Sequence, residues 1–204
     1  MDYQTILKNI EQQGFASIIA FSGGSSEELE VRVNELIEQA MQEISGKNIA
    51  ILTGGTKWGV PKYATQKAKE KSLPVIGVYP SRGAKYALNN LDYALEIPPR
   101  FGESEWGDET EIFTKLAKGV IIIGGGFGTA IEFTHVMKSN EGRIKNKLSP
   151  VYVAPVSLMA GDNSFADRAY DFKLSPEMQV CMPAERLTEG REAMNFLLNK
   201  LGLK

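Results

Sequence analysis

The stretch GVIIIGGGFGTAIEF, residues 119–133, decides the fold that this sequence predicts. A run of β-forming residues leads into three consecutive glycines, and a segment with helical character follows that carries Glu132. Glycine weakens ordinary packed structure, because it loses more backbone freedom on folding than any other residue. A glycine cluster between a strand and a helix therefore indicates that the backbone lies close to another group. Glu132 is then a candidate to act on that group, and its alternative role is that of an acidic residue favoured near a helix N-terminus.

The rest of the chain repeats the order of strand, loop and helix. We predict strands at 16–21, 48–52, 74–79, 92–97, 120–123 and 150–155, and helices at 27–45, 60–71, 107–119, 130–139 and 184–201. The strands are continuous apolar runs, which are typical of a parallel sheet with both faces covered. The expected fold is α/β, a Rossmann-like parallel sheet of about six or seven strands with helices on both faces. We expect a single domain over 1–204, with loops at 80–107 and 156–183.

Composition and charge exclude several classes of protein. The 204 residues are 43% hydrophobic and 24% charged, and the formal net charge of -2 gives no electrostatic reason to expect nucleic-acid binding. No apolar run approaches the roughly 20 residues of a membrane span, and the N-terminus resembles no targeting signal. With Cys181 and His135 as the only residues of their kinds, neither an intrachain disulfide nor a Cys/His zinc site can form. We therefore expect a cytoplasmic protein.

Three glycine-rich loops, at 22–26, 53–59 and 124–129, follow predicted strands. In a parallel sheet such loops lie at the same edge, and each one here precedes a helix whose N-terminal N–H groups favour an anion. The spacing fits neither the dinucleotide motif G-x-G-x-x-G nor the P-loop. We expect a phosphate-bearing small molecule to be bound by Gly23, Gly24, Ser25, Ser26, Thr53, Gly54, Gly55, Thr56, Lys57, Trp58, Gly59, Gly124, Gly125, Gly126, Phe127, Gly128 and Thr129.

The pairing of TGGT-x-x-G at 53–59 with G-G-F-G-T-x-x-E at 125–132 resembles the LOG/SLOG Rossmannoid superfamily. Its members carry the label lysine decarboxylase-like. They include cytokinin riboside monophosphate phosphoribohydrolases, molybdenum-cofactor carrier proteins and SLOG domains that sense ADP-ribose-type nucleotides. The resemblance spans about residues 15–155. It implies a nucleotide ligand and a homodimer or higher homo-oligomer.

The same resemblance makes Glu132 a catalytic candidate, because hydrolases of the superfamily combine the glutamate of this motif with an arginine in the preceding helix. At the corresponding place, 108–110, this sequence reads DET. Arg82 and Arg100 follow predicted strand ends, so they are the candidates to replace that arginine and to bind phosphate. Trp58 and Phe127 are the aromatic candidates for stacking on a base.

Three functions remain open at this point. The first is a protein that binds a nucleotide or an ADP-ribose-type ligand, including cyclic ADP-ribose signals, as a sensor, carrier or sequestering protein. The second is a phosphoribohydrolase that cleaves the N-glycosidic bond of nucleoside 5′-monophosphates, and the third is molybdenum-cofactor carriage. None requires a resident cofactor. Mg²⁺ bridging a diphosphate would suit the carboxylates Glu103, Glu105, Asp108, Glu109 and Glu111, whose alternative role is a solvated acidic start of a helix.

Overall fold

The computed structural model of the chain describes residues 2–24, 29–100, 107–159 and 163–203. In these residues six parallel strands form one sheet: β1 (Ser17–Gly24), β2 (Ile49–Thr53), β3 (Val75–Pro80), β4 (Tyr93–Ile97), β5 (Gly119–Gly124) and β6 (Tyr152–Val156). Their order in the sheet is β4-β3-β2-β1-β5-β6. The chain therefore builds one side of the sheet outward from β1, and then crosses to the other side of β1 at β5. The predicted Rossmann-like parallel sheet is confirmed.

Helices cover both faces of this sheet. They are α1 (Tyr3–Gln12), α2 (Glu30–Gln42), α3 (Gly59–Glu70), α4 (Thr110–Leu116), α5 (Phe127–Lys145), α6 (Phe165–Arg168), α7 (Pro176–Gln179) and α8 (Gly190–Leu201), with short 3-10 helices at Ser81–Tyr86 and Ala169–Asp171. One apolar layer joins the sheet to α2, α3 and α8, and the other joins it to α1, α4, α5, α6 and α7. In β1, Ile19 and Phe21 belong to the first layer and Ala20 to the second, as the two-residue period of a strand requires.

The first helix was not predicted from the sequence. Its start is fixed by Asp2, whose carboxylate accepts a hydrogen bond of 3.0 Å from the backbone N–H of Thr5. This is the capping interaction that favours Asp before a helix. Leu7 and Ile10, which are buried against the sheet, give the helix its apolar face. Tyr3 and Ile6 pack beside them, so the sequence does carry the helical period of apolar residues, and the prediction missed it.

The terminal helix predicted at 184–201 was expected to be broken or delayed by Gly190. It starts at Gly190, where α8 lies directly against α2. A Cβ atom at Gly190 would lie 1.8 Å from the carbonyl oxygen of Leu36, so only glycine allows the two backbones to approach so closely. The stretch 156–183, predicted as loop, contains α6 and α7, which have four residues each and are too short to show a helical period. No helix in the described ranges is long and apolar enough to cross a membrane.

Candidate functional site

A pocket lies at the carboxyl ends of β1 and β5, where the direction of chain progression reverses. Ligands of open parallel sheets bind at such switch points. The pocket has a volume of about 250 Å³. Among the described residues its wall consists of Phe21, Ser22, Gly23, Gly24, Gly54, Thr56, Trp58, Pro61, Gly107, Glu109, Thr110, Gly126, Gly128, Thr129, Ile131 and Glu132.

The first half of the 124–129 loop joins β5 to β1. Gly124 pairs with Gly24 in the sheet, and the N–H of Gly125 donates to the carbonyl of Gly24 at 2.8 Å. Both loop glycines have positive φ, +62° at Gly124 and +95° at Gly125. A Cβ atom would lie 2.3 Å from the carbonyl oxygen of Gly24 in the first case and 2.4 Å from Oγ1 of Thr129 in the second. These two glycines are required by the fold itself.

The second half of the loop starts α5 and faces the pocket. Gly126 precedes the helix, and Gly128 lies in its first turn. A Cβ atom at either position would meet no described atom within 4 Å, so packing does not require glycine there. The first N–H groups of a helix have no acceptor within the helix. The start of α5 therefore offers the pocket backbone donors and the positive end of a helix dipole, with no side chain at Gly128 in front of them.

Glu132 lies one turn further along α5 and reaches the end of β1. Its Oε2 accepts a hydrogen bond from the hydroxyl of Ser22, which is the last side chain of β1 before Gly23. The side chain is half-buried, and its carboxyl group borders the pocket. This burial, together with repulsion from Glu109, raises the pKa of Glu132 to about 7, against the lowering effect of the Ser22 hydrogen bond. Near neutral pH this carboxyl group is therefore able to give or take a proton.

A second carboxylate enters the pocket from the residues that precede α4. Glu109 is 7% exposed, and its Oε2 accepts a hydrogen bond of 2.8 Å from the N–H of Gly107. Burial raises the pKa of Glu109, and the charge of Asp108 adds to the effect. The neighbouring Thr110 is 2% exposed, and its hydroxyl has no hydrogen-bond partner among the described residues.

The TGGT-x-x-G loop serves two purposes. Thr53 and Gly55 shape the turn, because the Thr53 hydroxyl accepts from the N–H of Gly55 at 3.0 Å, and Gly55 has a φ of +65°. Gly54, Thr56 and Trp58 line the pocket. The Trp58 ring is 50% exposed and lies 4.6 Å from the ring of Tyr86, centre to centre. Trp58 thus presents an aromatic face at the rim of the pocket.

The structure brings nine of the predicted binding residues to this pocket: Gly23, Gly24, Gly54, Thr56, Trp58, Gly126, Gly128, Thr129 and Glu132. Others lie near it without lining it: Thr53, Gly55, Lys57, Gly59, Gly124, Gly125 and Phe127. Phe127 is 92% exposed and points away from the packed structure. Ser25 and Ser26 lie outside the described residues.

Neither Arg82 nor Arg100 lines the pocket. Arg82 lies in the 3-10 helix that follows β3. Arg100 forms an ion pair with Glu111 of α4 and a hydrogen bond with Tyr3 of α1. Lys57 has its ammonium group 5.5 Å from the centre of the Trp58 ring, in a cation–π contact. The described wall of the pocket therefore contains two carboxylates and no lysine, arginine or histidine.

Those acidic residues proposed for Mg²⁺ that the structure describes interact with protein groups instead of converging on one point. Glu111 pairs with Arg100, whereas the Oδ1 atom of Asp108 accepts from the backbone N–H of Arg100 at 2.9 Å. Glu103 and Glu105 lie outside the described residues. Within the described ranges no group of three His, Cys, Asp or Glu side chains is placed to hold a metal ion. A magnesium-bridged ligand stays a prediction.

The family to which this chain is similar covers the part of the chain that forms the pocket edge of the sheet. The SLOG cluster4 family matches residues 17–148, which include every strand except β6 and all three glycine loops. The chain belongs to the SLOG cluster4 family. Among curated proteins no match was found.

Several solved structures share the fold of this SLOG protein. The X-ray structure of TM1055 is 16% identical, with a TM-score of 0.67 over 90% of this chain and 99% of that chain. The molybdenum cofactor binding protein of the phototrophic bacterium Rippkaea orientalis is 20% identical, with a TM-score of 0.63 over 91% and 96%. The molybdenum cofactor carrier protein of Chlamydomonas reinhardtii is 22% identical, with a TM-score of 0.56 over 92% and 99%. At these identities the likeness shows the fold alone.

Sequence reasoning did not include Ser22, Glu109 or Thr110 among the binding residues of this SLOG chain. Ser22 was inside the first glycine loop, but its contact with Glu132 joins residues 110 positions apart. Glu109 had a signal, because DET stands where hydrolases of the superfamily have an arginine. The sequence did not show that the middle residue of DET is buried in the pocket wall.

Proposed function

We propose that this SLOG protein binds a phosphate-bearing nucleotide or ADP-ribose-type ligand, including cyclic ADP-ribose signals, as a sensor, carrier or sequestering protein. The observation that carries the proposal is the start of α5 at the switch point of the sheet. There a helix N-terminus faces the pocket across Gly126 and Gly128, which packing does not require to be glycine. Backbone N–H groups at a helix N-terminus favour an anion, and a phosphate is the anion that such loops commonly bind.

The size of the pocket supports one arrangement of the ligand. Its volume of about 250 Å³ lies slightly below the ~300–1,000 Å³ of most small-molecule sites. A phosphate and a sugar fit within it, and the base extends to the rim. Trp58 lies there with half of its ring exposed, and stacking a base on an aromatic ring contributes roughly 1–3 kcal/mol.

A phosphoribohydrolase is the second candidate, and Glu132 favours it. A carboxyl group with a pKa of about 7 suits general acid or base work at neutral pH. Two carboxylates in one pocket resemble the arrangement that cleaves glycosidic bonds in many hydrolases. Against this stands the charge of the pocket wall, because Glu109 occupies the region where hydrolases of the superfamily place an arginine. For this reason we rank binding before cleavage.

One retention experiment separates the candidates. The purified chain is incubated with nucleoside monophosphates, ADP-ribose, cyclic ADP-ribose isomers and NAD, and mass spectrometry identifies what a protein-retaining membrane holds back and what it passes. We expect an intact ligand in the retained fraction. Free base with ribose 5-phosphate would instead establish the hydrolase. A molybdenum-containing preparation would favour molybdenum-cofactor carriage. One structural neighbour is a molybdenum cofactor binding protein, and another is a molybdenum cofactor carrier protein.

The matched control for this experiment lies in the same helix. Gly128 and Gly142 both belong to α5, and a Cβ atom at either would meet no described atom within 4 Å. Gly128→Ala places a methyl group at the wall of the pocket, whereas Gly142→Ala places one far from it. We expect Gly128→Ala to lose retention of the ligand and Gly142→Ala to keep it. Equal retention by both variants would contradict binding at the start of α5.

We also propose a homodimer that forms at the rim of the pocket. Phe127 and Ile131 lie one turn apart on α5 and are 92% and 43% exposed. Large apolar side chains exposed side by side commonly mark a surface of protein contact. The proposed setting is the cytoplasm, where the thiol of the single cysteine, which is buried in the structure, stays reduced.

A further inference from the structure

The floor of the pocket, where Glu109 and Glu132 lie, is acidic, whereas a cation lies outside the wall beside Trp58. Glu132 reaches the floor from α5, and Glu109 reaches it from the residues before α4. The nearby ammonium group of Lys57 lies over the Trp58 ring and does not line the described wall. A phosphate placed at the floor would meet two carboxylates of its own sign of charge, and the burial of Glu109 strengthens that repulsion.

The hydrogen bonds at the floor leave acceptors available. Each ionised carboxylate has two oxygens with about four lone-pair sites. Among the described residues, Glu132 accepts from Ser22, and Glu109 accepts from the N–H groups of Gly107 and of its own backbone. The hydroxyl of Thr110 is buried beside them without a partner. A group that brings hydrogen-bond donors would complete this set, because buried polar groups are normally all hydrogen-bonded.

We propose that Glu109, together with Glu132, binds two adjacent hydrogen-bond donors on an uncharged part of the ligand. The proposal rests on the proposed function, since it states which part of the phosphate-bearing ligand enters the floor. The phosphate stays at the start of α5, and the donors point to the carboxylates. Vicinal ribose hydroxyls have this chemistry and suit the arrangement with the base at the rim. The adjacent N–H groups on the 2-amino-6-oxo edge of a purine have it too, for a ligand whose base turns inward in place of the sugar, because carboxylates bind both kinds of group.

The donors determine how affinity changes with pH. Donors stabilise the ionised form of a carboxyl group, so a bound ligand lowers the pKa of Glu132 from about 7. Binding then releases a proton, and affinity rises as the pH increases through 7. In the free protein the negative charge of Asp108 helps to raise the pKa of Glu109. Donors that bind Glu109 therefore lower this pKa as well, and they add to the rise of affinity with pH. A phosphate at the floor would reverse the sign, and affinity would fall over the same range.

Calorimetric titration of the full chain at pH 7.5 with two pairs of nucleotides tests the proposal. AMP and 2′-deoxy-AMP differ in a sugar donor, and GMP and IMP differ in a base donor. We expect at least one pair to differ by about tenfold or more in favour of the member with more donors, as a lost hydrogen bond to a charged group predicts. A difference in the first pair assigns the floor to the ribose, and one in the second assigns it to the base. Equal affinities within both pairs overturn the inference and leave the proposed function intact, whereas no binding by any nucleotide or by ADP-ribose overturns both.

Glu109→Gln tests the role of the residue, and Glu111→Gln is its matched control. Glu111 lies two positions away, and its exposed side chain pairs with Arg100 outside the pocket. We expect Glu109→Gln to reduce the preference within the pair to less than about threefold and to flatten the rise of affinity between pH 6.5 and 8.5. Glu111→Gln keeps both properties. If the Glu109→Gln protein keeps the preference within the pair and the rise of affinity with pH, the proposed role of Glu109 is wrong. The role is also wrong if the affinity of the wild-type protein for AMP falls from pH 7 to 8.5.

Discussion

A Cβ atom at Gly124 would lie 2.3 Å from a backbone oxygen of β1, whereas one at Gly128 would meet no described atom within 4 Å. The two residues belong to the same loop and are four positions apart. Gly124 has a φ of +62°, which side chains rarely allow, and Gly128 lies in a helix, where glycine is less stable than alanine. The fold therefore explains the first glycine and is weakened by the second. A residue that weakens the fold at the edge of a pocket is a stronger sign of function than one that the fold requires.

The carboxylates follow the same division. Glu111 is exposed, and Arg100 neutralises it at the surface. Glu132 is half-buried at the pocket wall and has a raised pKa, so its charged form is unfavourable in the folded state. Like Gly128, it destabilises the folded chain at neutral pH. Variants at both kinds of position distinguish the residues that support the fold from those that oppose it.

The largest effect is expected for Gly124→Ala. The new side chain adopts an unfavourable positive φ and overlaps the Gly24 carbonyl and a methyl group of Leu158, which together lower the free energy of unfolding by roughly 3 kcal/mol or more. Denaturant unfolding followed by circular dichroism measures this. Gly128→Ala serves as the control in the same loop. A Gly124→Ala protein as stable as the wild type would remove the distinction between the two halves of the loop.

Glu132→Gln is expected to stabilise the protein at high pH only. A carboxyl group whose pKa is raised on folding keeps its proton longer in the folded state, so stability falls as the pH rises from about 4.5 to 7. Removing the charge should raise the free energy of unfolding by about 1–3 kcal/mol at pH 8 and by little at pH 5.

Unfolding at the two pH values checks this expectation, and Glu141→Gln on the exposed side of α5 is the control. The control should show no gain that depends on pH in this range. If Glu132→Gln is less stable than the wild type at pH 8, the carboxylate supports the fold, and Glu132 does not belong with the residues that oppose it.

Gly128→Ala should give a smaller gain in stability. Alanine in place of a helical glycine that has room for a methyl group stabilises a protein by about 0.5–1 kcal/mol. Gly142→Ala should give a similar gain, because it lies in the same helix with the same open surroundings. Thermal unfolding of both variants beside the wild type measures the two gains. A loss of stability in Gly128→Ala alone would show that the fold, and not a ligand, requires glycine at the start of α5.

The difference between Gly124 and Gly128 also explains which features the sequence predicts and which it does not. Most of the strands were predictable because they are continuous apolar runs next to glycine or proline, as in residues 119–124. The edge that holds the pocket followed from the parallel sheet alone. The sequence does not distinguish Gly124 from Gly128, because the distinction depends on the distance from Gly124 to a neighbouring strand about 100 positions earlier in the chain. The burial of Glu109 depends in the same way on residues distant in the sequence, and an acidic stretch before a helix is normally solvated.

The smallest effect on folding is expected for Phe127→Ser, which tests a residue that the fold neither requires nor opposes. Its ring is 92% exposed, so removing it should change the free energy of unfolding by less than about 0.5 kcal/mol. The proposed dimer gives this ring its role, and we expect light scattering to show a shift from dimer to monomer. Val31→Ser is the matched control, because Val31 is 72% exposed on α2, away from the pocket. A variant at Phe127 that keeps the mass of the wild type places the dimer contact elsewhere, and a wild-type protein that is already monomeric leaves ligand contact as the reason for an exposed phenylalanine beside Gly128.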